Sequence, residues 1–280
     1  MIVSINYANE KYKKHQSINT KTARLLGKVD KAYSFVQEDI DKDFFEKNRN
    51  ILSQERGNGL WLWKPYFIDK IMNELNDGDV ICYADSGIAY LRNVQELITK
   101  LRESRQDIML FEIPLIECQW TKKEVFDVLE AYTETVRFSN QIMATVIVVI
   151  INDRSRDFIK KWLKLCQKKI LIFPKEEDEN EWYIAHREDQ SILSVLAKKE
   201  GINSFSDPTD YGKFPILIQY LTHKRMFRIN KKETPYQLDK TYFLLTRDEN
   251  FYKYLLKYWI RCFLSKIRLT ILRKKQSFYK

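Results

Sequence analysis

With 7 glycines and 6 prolines in 280 residues, the chain is too poor in both for a disordered or collagen-like polymer, and it carries no internal period or low-complexity segment. Its 4 cysteines, Cys82, Cys118, Cys166 and Cys262, are scattered without a CxxC pair. That spacing argues against metal or disulfide roles and reads as buried or free thiols in a reducing compartment. No Gly-rich phosphate loop with a lysine occurs, which removes the main support for a nucleotidyltransferase or sugar-nucleotide hydrolase. The longest apolar run, 142–151, is interrupted by Thr145 and is too short to span a bilayer. Residues 1–7 begin directly as a strand, without a basic leader and apolar h-region, so a cytoplasmic location is expected.

Acidic residues stop at Glu249, whereas Lys253, Lys257, Arg261, Lys266, Arg268, Arg273, Lys274, Lys275 and Lys280 follow it. The formal net charge of +10 is therefore a property of the tail, and the body is close to neutral. A nucleic-acid-binding protein spreads its basic residues over a groove; here they gather beside apolar ones. Leu255, Leu256, Trp259, Ile260, Phe263, Leu264 and Ile267 fall on one helical face, with Lys253, Lys257, Arg261 and Arg268 on the other. Such a helix reads as an interfacial anchor drawn to anionic lipid, or as a helix docked on the domain with a solvated basic face.

What is present centres on 57–90, GNGLWLWKPYFIDKIMNELNDGDVICYADSGIAY. Gly57 and Gly59 flank Asn58, and glycine permits the positive φ of a tight loop. Pro65 suits the first turn of a helix, and Phe67, Ile68, Ile71, Met72 and Leu75 continue it at helical spacing. Asn76-Asp77-Gly78-Asp79 breaks the helix before the apolar strand 80–84. Asp85-Ser86-Gly87 follows at the strand's C-terminal edge, where open α/β sheets place ligands. A carboxylate there can hold a metal or a ribose hydroxyl, or simply cap the next turn. A second fully apolar strand spans 142–150, as expected when both faces are buried. Asn140 and Gln141 lead into it. Asp189-Gln190 opens a helix through Leu196, where an acid also serves as a first-turn residue. The acidic run 175–181 reads as a solvated loop.

The stretch GNGLWLWKPYFI, helix, GDVICYADSG resembles bacterial glycosyltransferases of the GT-A type that build capsule or O-antigen polysaccharides. KxxxxNTKxA over 14–23 and DIDKDFFEKNRNIL over 39–52 extend the likeness over about 7–90. The resemblance implies an α/β, GT-A-like single domain with a central mixed sheet over 1–245, followed by a basic amphipathic tail over 246–280. It implies transfer of a sugar from a nucleotide donor, UDP-linked in the expected case, to a hydroxyl of a lipid-linked glycan at the inner membrane face. In that family the strand-end Asp-x-Asp holds the diphosphate through a divalent metal, Mn²⁺ or Mg²⁺. This chain has Asp85-Ser86-Gly87 instead, so one acid is missing.

By the same likeness Tyr7 stacks on the base, Lys64 neutralises a phosphate, and Asp85, Ser86 and Gly87 meet the nucleotide. Asn140, Gln141 and Gln190 contact the donor sugar, His223 and Lys224 the diphosphate, and Asp85 with His223 the metal. Asp189 acts as catalytic carboxylate, deprotonating the attacking hydroxyl or stabilising an oxocarbenium-like centre. The rival class is a non-catalytic or nucleic-acid-binding basic protein that retains a nucleotide-binding fold, for which the incomplete acidic motif speaks.

Overall fold

The computed structural model describes residues 1–214, 234–247 and 249–277, with the side chains of the last helix through residue 267. Six strands form one sheet in the order β2-β1-β3-β6-β5-β7: β1 (Ile2–Tyr7), β2 (Lys31–Phe35), β3 (Val80–Ala84), β5 (Ile108–Ile116), β6 (Asn140–Ile150) and β7 (Phe205–Ser206). β1 pairs in parallel with β2 and β3, and β5 with β7, while β6 runs antiparallel to both β3 and β5. The expected α/β class with a central mixed sheet is what forms.

Period-two alternation sends the two faces of β3 and β6 into two cores. Ile81, Tyr83, Ile147 and Val149 pack with Phe67, Trp162 and Leu196 from α2 (Trp63–Met72), α4 (Asp153–Cys166) and α5 (Glu188–Lys199). Val80, Cys82, Val146 and Val148 face the other way, onto Leu97 and Leu101 of α3 (Gln95–Glu103) and Ala23 of α1 (Lys13–Leu25). Burial on both faces explains why these strands carry no polar alternation.

Local chemistry sets several boundaries. The helical stretch from Lys42 to Leu52 is interrupted at Asn48, which adopts φ −115°, ψ 17° and bonds Phe44 O with its own Nδ2. β5 continues past Phe111 across Pro114, and its pairing with β6 slips between Ile113 and Ile116, as a residue without N–H requires. Asn140 and Gln141 belong to β6 rather than to a loop before it. Ahead of the helix Lys123–Val128 the Thr121 hydroxyl bonds buried Glu117, and Asp178 accepts from Lys123 N at the helix start. Asp178 is thus an enclosed member of the run expected to be solvated.

β4 (Ile88–Tyr90) and β8 (Phe243–Leu245) form a separate antiparallel ribbon beside the end of β3. Beyond it α6 (Phe251–Ser277) packs through Tyr254, Tyr258 and Cys262 against Ala89 and Leu244. The spacing of four residues puts those three on one stripe, and Tyr254 Oη donates to Asp210 Oδ2 at 2.6 Å. The apolar stripe of Leu256, Trp259, Ile260, Phe263, Leu264 and Ile267 remains exposed. No described helix is long and apolar enough to cross a membrane.

Candidate functional site

Asp85 emerges where β3 leaves the sheet. Its N–H donates to Thr145 O at 2.9 Å. Its carbonyl accepts from Asn19 Nδ2 at 3.0 Å, and Asn19 is itself held by buried Asn6. Tyr83 Oη donates to Asp85 Oδ1, so backbone and side chain are both set by residues behind the strand.

Beneath it lies Lys64, 3% exposed. Its Nζ donates to Ala144 O at 3.1 Å and lies 3.3 Å from Asp85 Oδ1 and 3.0 Å from Asp189 Oδ2. One ammonium therefore faces two carboxylates, a cluster of net −1 when all three are ionised. Withdrawing that charge from water favours proton uptake. Burial pushes the Asp189 carboxyl up to about 7, with Lys64 drawing it back and Asp85 adding to the rise. Burial draws Lys64 down, but Asp189 and Asp85 outweigh it and its pKa is raised.

One wall of the cleft is a left-handed turn. Gly57, Asn58, Gly59, Leu60 and Trp61 all have positive φ, from 51° to 99°. Only glycine adopts this without cost, so Asn58, Leu60 and Trp61 hold strain that neighbouring contacts must offset. Trp63 Nε1 donates to Gly57 O at 2.9 Å, Asn58 donates to Tyr7 Oη, and Arg56 pairs with buried Glu188 at the start of α5. At Gly59 a Cβ would come within 2.9 Å of Leu52 Cα.

The opposite wall comes from the chain after β8. Thr246 N, Thr246 Oγ1 and Arg247 N all donate to Gly87 O, at 2.9, 2.9 and 3.1 Å. A Cβ on Gly87 would stand 3.2 Å from Arg247 Cα, so this glycine admits the 246–247 backbone. Asp85, Ser86, Gly87, Asn58, Trp61 and Arg247 thereby border a cleft of about 600 Å³. A smaller recess of about 90 Å³ adjoins it, sharing Thr145, Leu245 and Arg247 and bordered also by Arg187, Gln190 and Tyr211.

The expected site residues separate into four groups. Tyr7, Asp85, Ser86 and Gly87 border the large cleft and Gln190 the recess. Tyr7 is 4% exposed, and its ring stacks on Trp63 at 3.9 Å, so the core occupies the face expected to receive a base. Lys64 and Asp189 lie under the cleft floor as an ion pair. Asn140 and Gln141 are buried in a separate network: Asn140 bonds Glu112, and Gln141 bonds Glu117, Thr121 and Gln190. They border neither cavity. His223 and Lys224 lie outside the described residues. Arg247 and Arg187 also border the site, and neither carries a sequence signature, because an arginine in a turn or before a helix has no distinguishing pattern.

Among the described residues no group of three His, Cys, Asp or Glu side chains converges as a metal site. Among the described residues Asp85 and Glu55 are the acids that border the cleft, and Asp85 Oδ1 already faces Tyr83 Oη and the Lys64 ammonium. The described donors do not fit a divalent ion.

No family model matches the chain, and no curated protein matches it by sequence. Solved structures of similar shape include apo mouse xyloside xylosyltransferase 1, at 9% identity and a TM-score of 0.46, covering 88% of this chain and 97% of that one. The apo glycosyltransferase GlyE of Streptococcus pneumoniae TIGR4 aligns at 18% identity and a TM-score of 0.41 over 87% of this chain. The match spans 54% of GlyE, about half its length. The galactosyltransferase LgtC, solved with donor and acceptor sugar analogs, aligns at 12% identity and a TM-score of 0.39 over 70% of each chain.

Proposed function

We propose that the chain is a glycosyltransferase that binds a nucleotide-sugar in the large cleft and transfers the sugar to a hydroxyl of a lipid-linked glycan in bacterial surface polysaccharide assembly. The observation that carries this reading is Asp85-Ser86-Gly87 at a strand end, bordering a cleft that continues into a second recess. Asp85, about one-third exposed, accepts hydrogen bonds from ribose hydroxyls. Trp61 and Tyr12 border the same cleft and offer ring surface to the base. Arg247 stands where the two cavities meet and supplies positive charge for the leaving diphosphate.

Lys64 and Asp189 act from beneath in this reading. Lys64 orients Asp85 rather than meeting phosphate, and Asp189 sets the charge of the Lys64–Asp85 pair as a positioning residue. Gln190, bordering the recess, is the polar group of that helix nearest the transferred sugar. Catalysis rests on holding donor and acceptor in line and stabilising the diphosphate as it leaves.

The exposed stripe of α6 supports an acceptor held at a membrane. Trp259, Phe263 and Leu264 stand out with Lys253 and Lys257 nearby, and the chain has no acid after Glu249. That pairing of apolar and basic surface matches an anionic bilayer.

A thermal-shift panel of UDP, GDP, CMP and TDP, each with and without Mn²⁺ or Mg²⁺, tests the transferase reading. Binding to the folded state alone raises Tm. One nucleotide should raise Tm for the native chain and fail to do so for Asp85→Ala. No shift with any nucleotide would move the reading to a non-catalytic or nucleic-acid-binding role.

A further inference from the structure

Arg187 is a cation with no ion pair among the described residues, although Glu188 and Glu117 act on it at longer range. It precedes α5, and among the described residues its guanidinium makes no hydrogen bond either; only its backbone bonds, the N–H to Ser191 Oγ and the carbonyl accepting from Gln190 N and Ser191 N. Its adjacent acid, Glu188, is engaged by Arg56 at 2.5 Å. What holds Arg187 is the Trp120 ring, 4.5 Å from its Cζ. Desolvation, followed by the repulsion of Arg247, pulls its pKa down to about 10. Arg247 stands 5.8 Å over the Tyr211 ring. Two guanidinium groups, each placed on an aromatic face, thus border one small recess. Asp207 borders it too, but accepts from Thr209 N at 2.8 Å and forms no ion pair with either arginine.

Arg187 is half-buried and Arg247 exposed; a charge drawn partly out of water without an ion pair is costly, and the cost falls when an anion joins it. A guanidinium presents a fork of donors that fits a carboxylate or phosphate in bidentate fashion. We propose that the recess between Arg187 and Arg247 is an anion subsite, taking one carboxylate or phosphate group carried by the transferred sugar or by the acceptor. The volume of about 90 Å³ suits one such group and its immediate carbons, with Ile113, Leu115 and Met143 as apolar walls. The inference rests on reading the large cleft as the nucleotide site, since the recess opens from it. It names the substrate as an acidic or phosphorylated glycan.

The test measures Tm of the full chain with glucuronate, glucose 6-phosphate, inorganic phosphate and neutral glucose at equal ionic strength, for the native chain, Arg187→Gln and Arg247→Gln. UDP is run in parallel. At about tenfold excess over Kd the fitting anion should raise Tm by about 3 °C. Glucose should not, and Arg187→Gln should abolish the rise while keeping its response to UDP. A response to glucuronate alone identifies a sugar carboxylate; a response to glucose 6-phosphate or phosphate identifies a phosphate group. Equal shifts with glucose and the acids, or an undiminished shift in Arg187→Gln, would overturn the subsite. So would loss of the UDP response alone in that variant, which would make Arg187 part of the diphosphate site. A UDP shift without any acid shift ends this inference and leaves the transferase reading standing; an acid shift without a UDP shift keeps the anion subsite and ends only the UDP-donor form of that reading. If Arg187→Gln fails to fold, exposed Arg247→Gln carries the test, and a full acid response there overturns the proposal.

Discussion

Asp189→Asn isolates the buried carboxylate from the rest of the titration. Asp189 is 3% exposed and its pKa is raised from 3.8 to about 7, first by burial. The folded protein therefore holds this proton more tightly than the unfolded chain. The stability it confers is complete below about pH 4 and is lost as the pH rises through about 7. At about 1.4 kcal/mol for each tenfold step, the rise is worth about 4 kcal/mol, an upper bound because the surroundings relax. His186 titrates with the opposite sign. Burial lowers it from 6.5 to about 3, so its contribution is lost as the pH falls through that range. The pH profile of the native chain alone mixes the two, whereas the difference from Asp189→Asn cancels His186.

Urea unfolding at fixed pH values from 4.5 to 8 gives that difference. With an m-value of about 3 kcal/mol/M, the midpoint of Asp189→Asn should gain on the native midpoint by about 1 M across the range. Parallel profiles would refute a shifted Asp189. A native chain that gains on the variant as pH rises would mean that Lys64 outweighs burial and keeps Asp189 ionised throughout.

Three further outcomes follow from the same contacts. Gly59→Ala meets both φ +99° and Leu52 Cα and should cost more than about 3 kcal/mol in urea unfolding. Gly78→Ala, at φ +86° with nothing within 4 Å, should cost only about 1 kcal/mol; equal losses would mean that backbone conformation, not contact, governs the turn. Asn19→Ala removes the donor to Asp85 O and should cost about 1–3 kcal/mol while weakening the nucleotide shift; intact nucleotide affinity would separate Asn19 from the site. Trp259→Ser with Phe263→Ser, both side chains exposed, should leave Tm unchanged and reduce co-sedimentation with anionic vesicles, more so at high salt. Undiminished sedimentation would remove the stripe from membrane binding.

The sequence by itself determined what depends on neighbours along the chain. Strand 80–84 and the carboxylate at its end, the helix following Pro65, the glycine-dependent turn and the helical tail all come from periodicity, backbone restriction and turn chemistry. These forces act within about ten residues, and the α/β class follows from their order. Tertiary structure decided everything that needed a partner far away. Lys64 looked like a free cation until Asp189, remote in sequence, closed over it. Asn140 and Gln141 looked like ligand contacts until Glu112 and Glu117 claimed their amides. The tail's apolar residues gave no sign that Tyr254, Tyr258 and Cys262 would dock and leave Trp259 and Phe263 outward. Arg187 and Arg247 carry no local pattern at all. Their significance lies in a shared recess, which exists only because Gly87 admits the chain after β8 against the end of β3. Local preference fixes which elements form; the identity of a charge's partner depends on which surfaces of those elements meet.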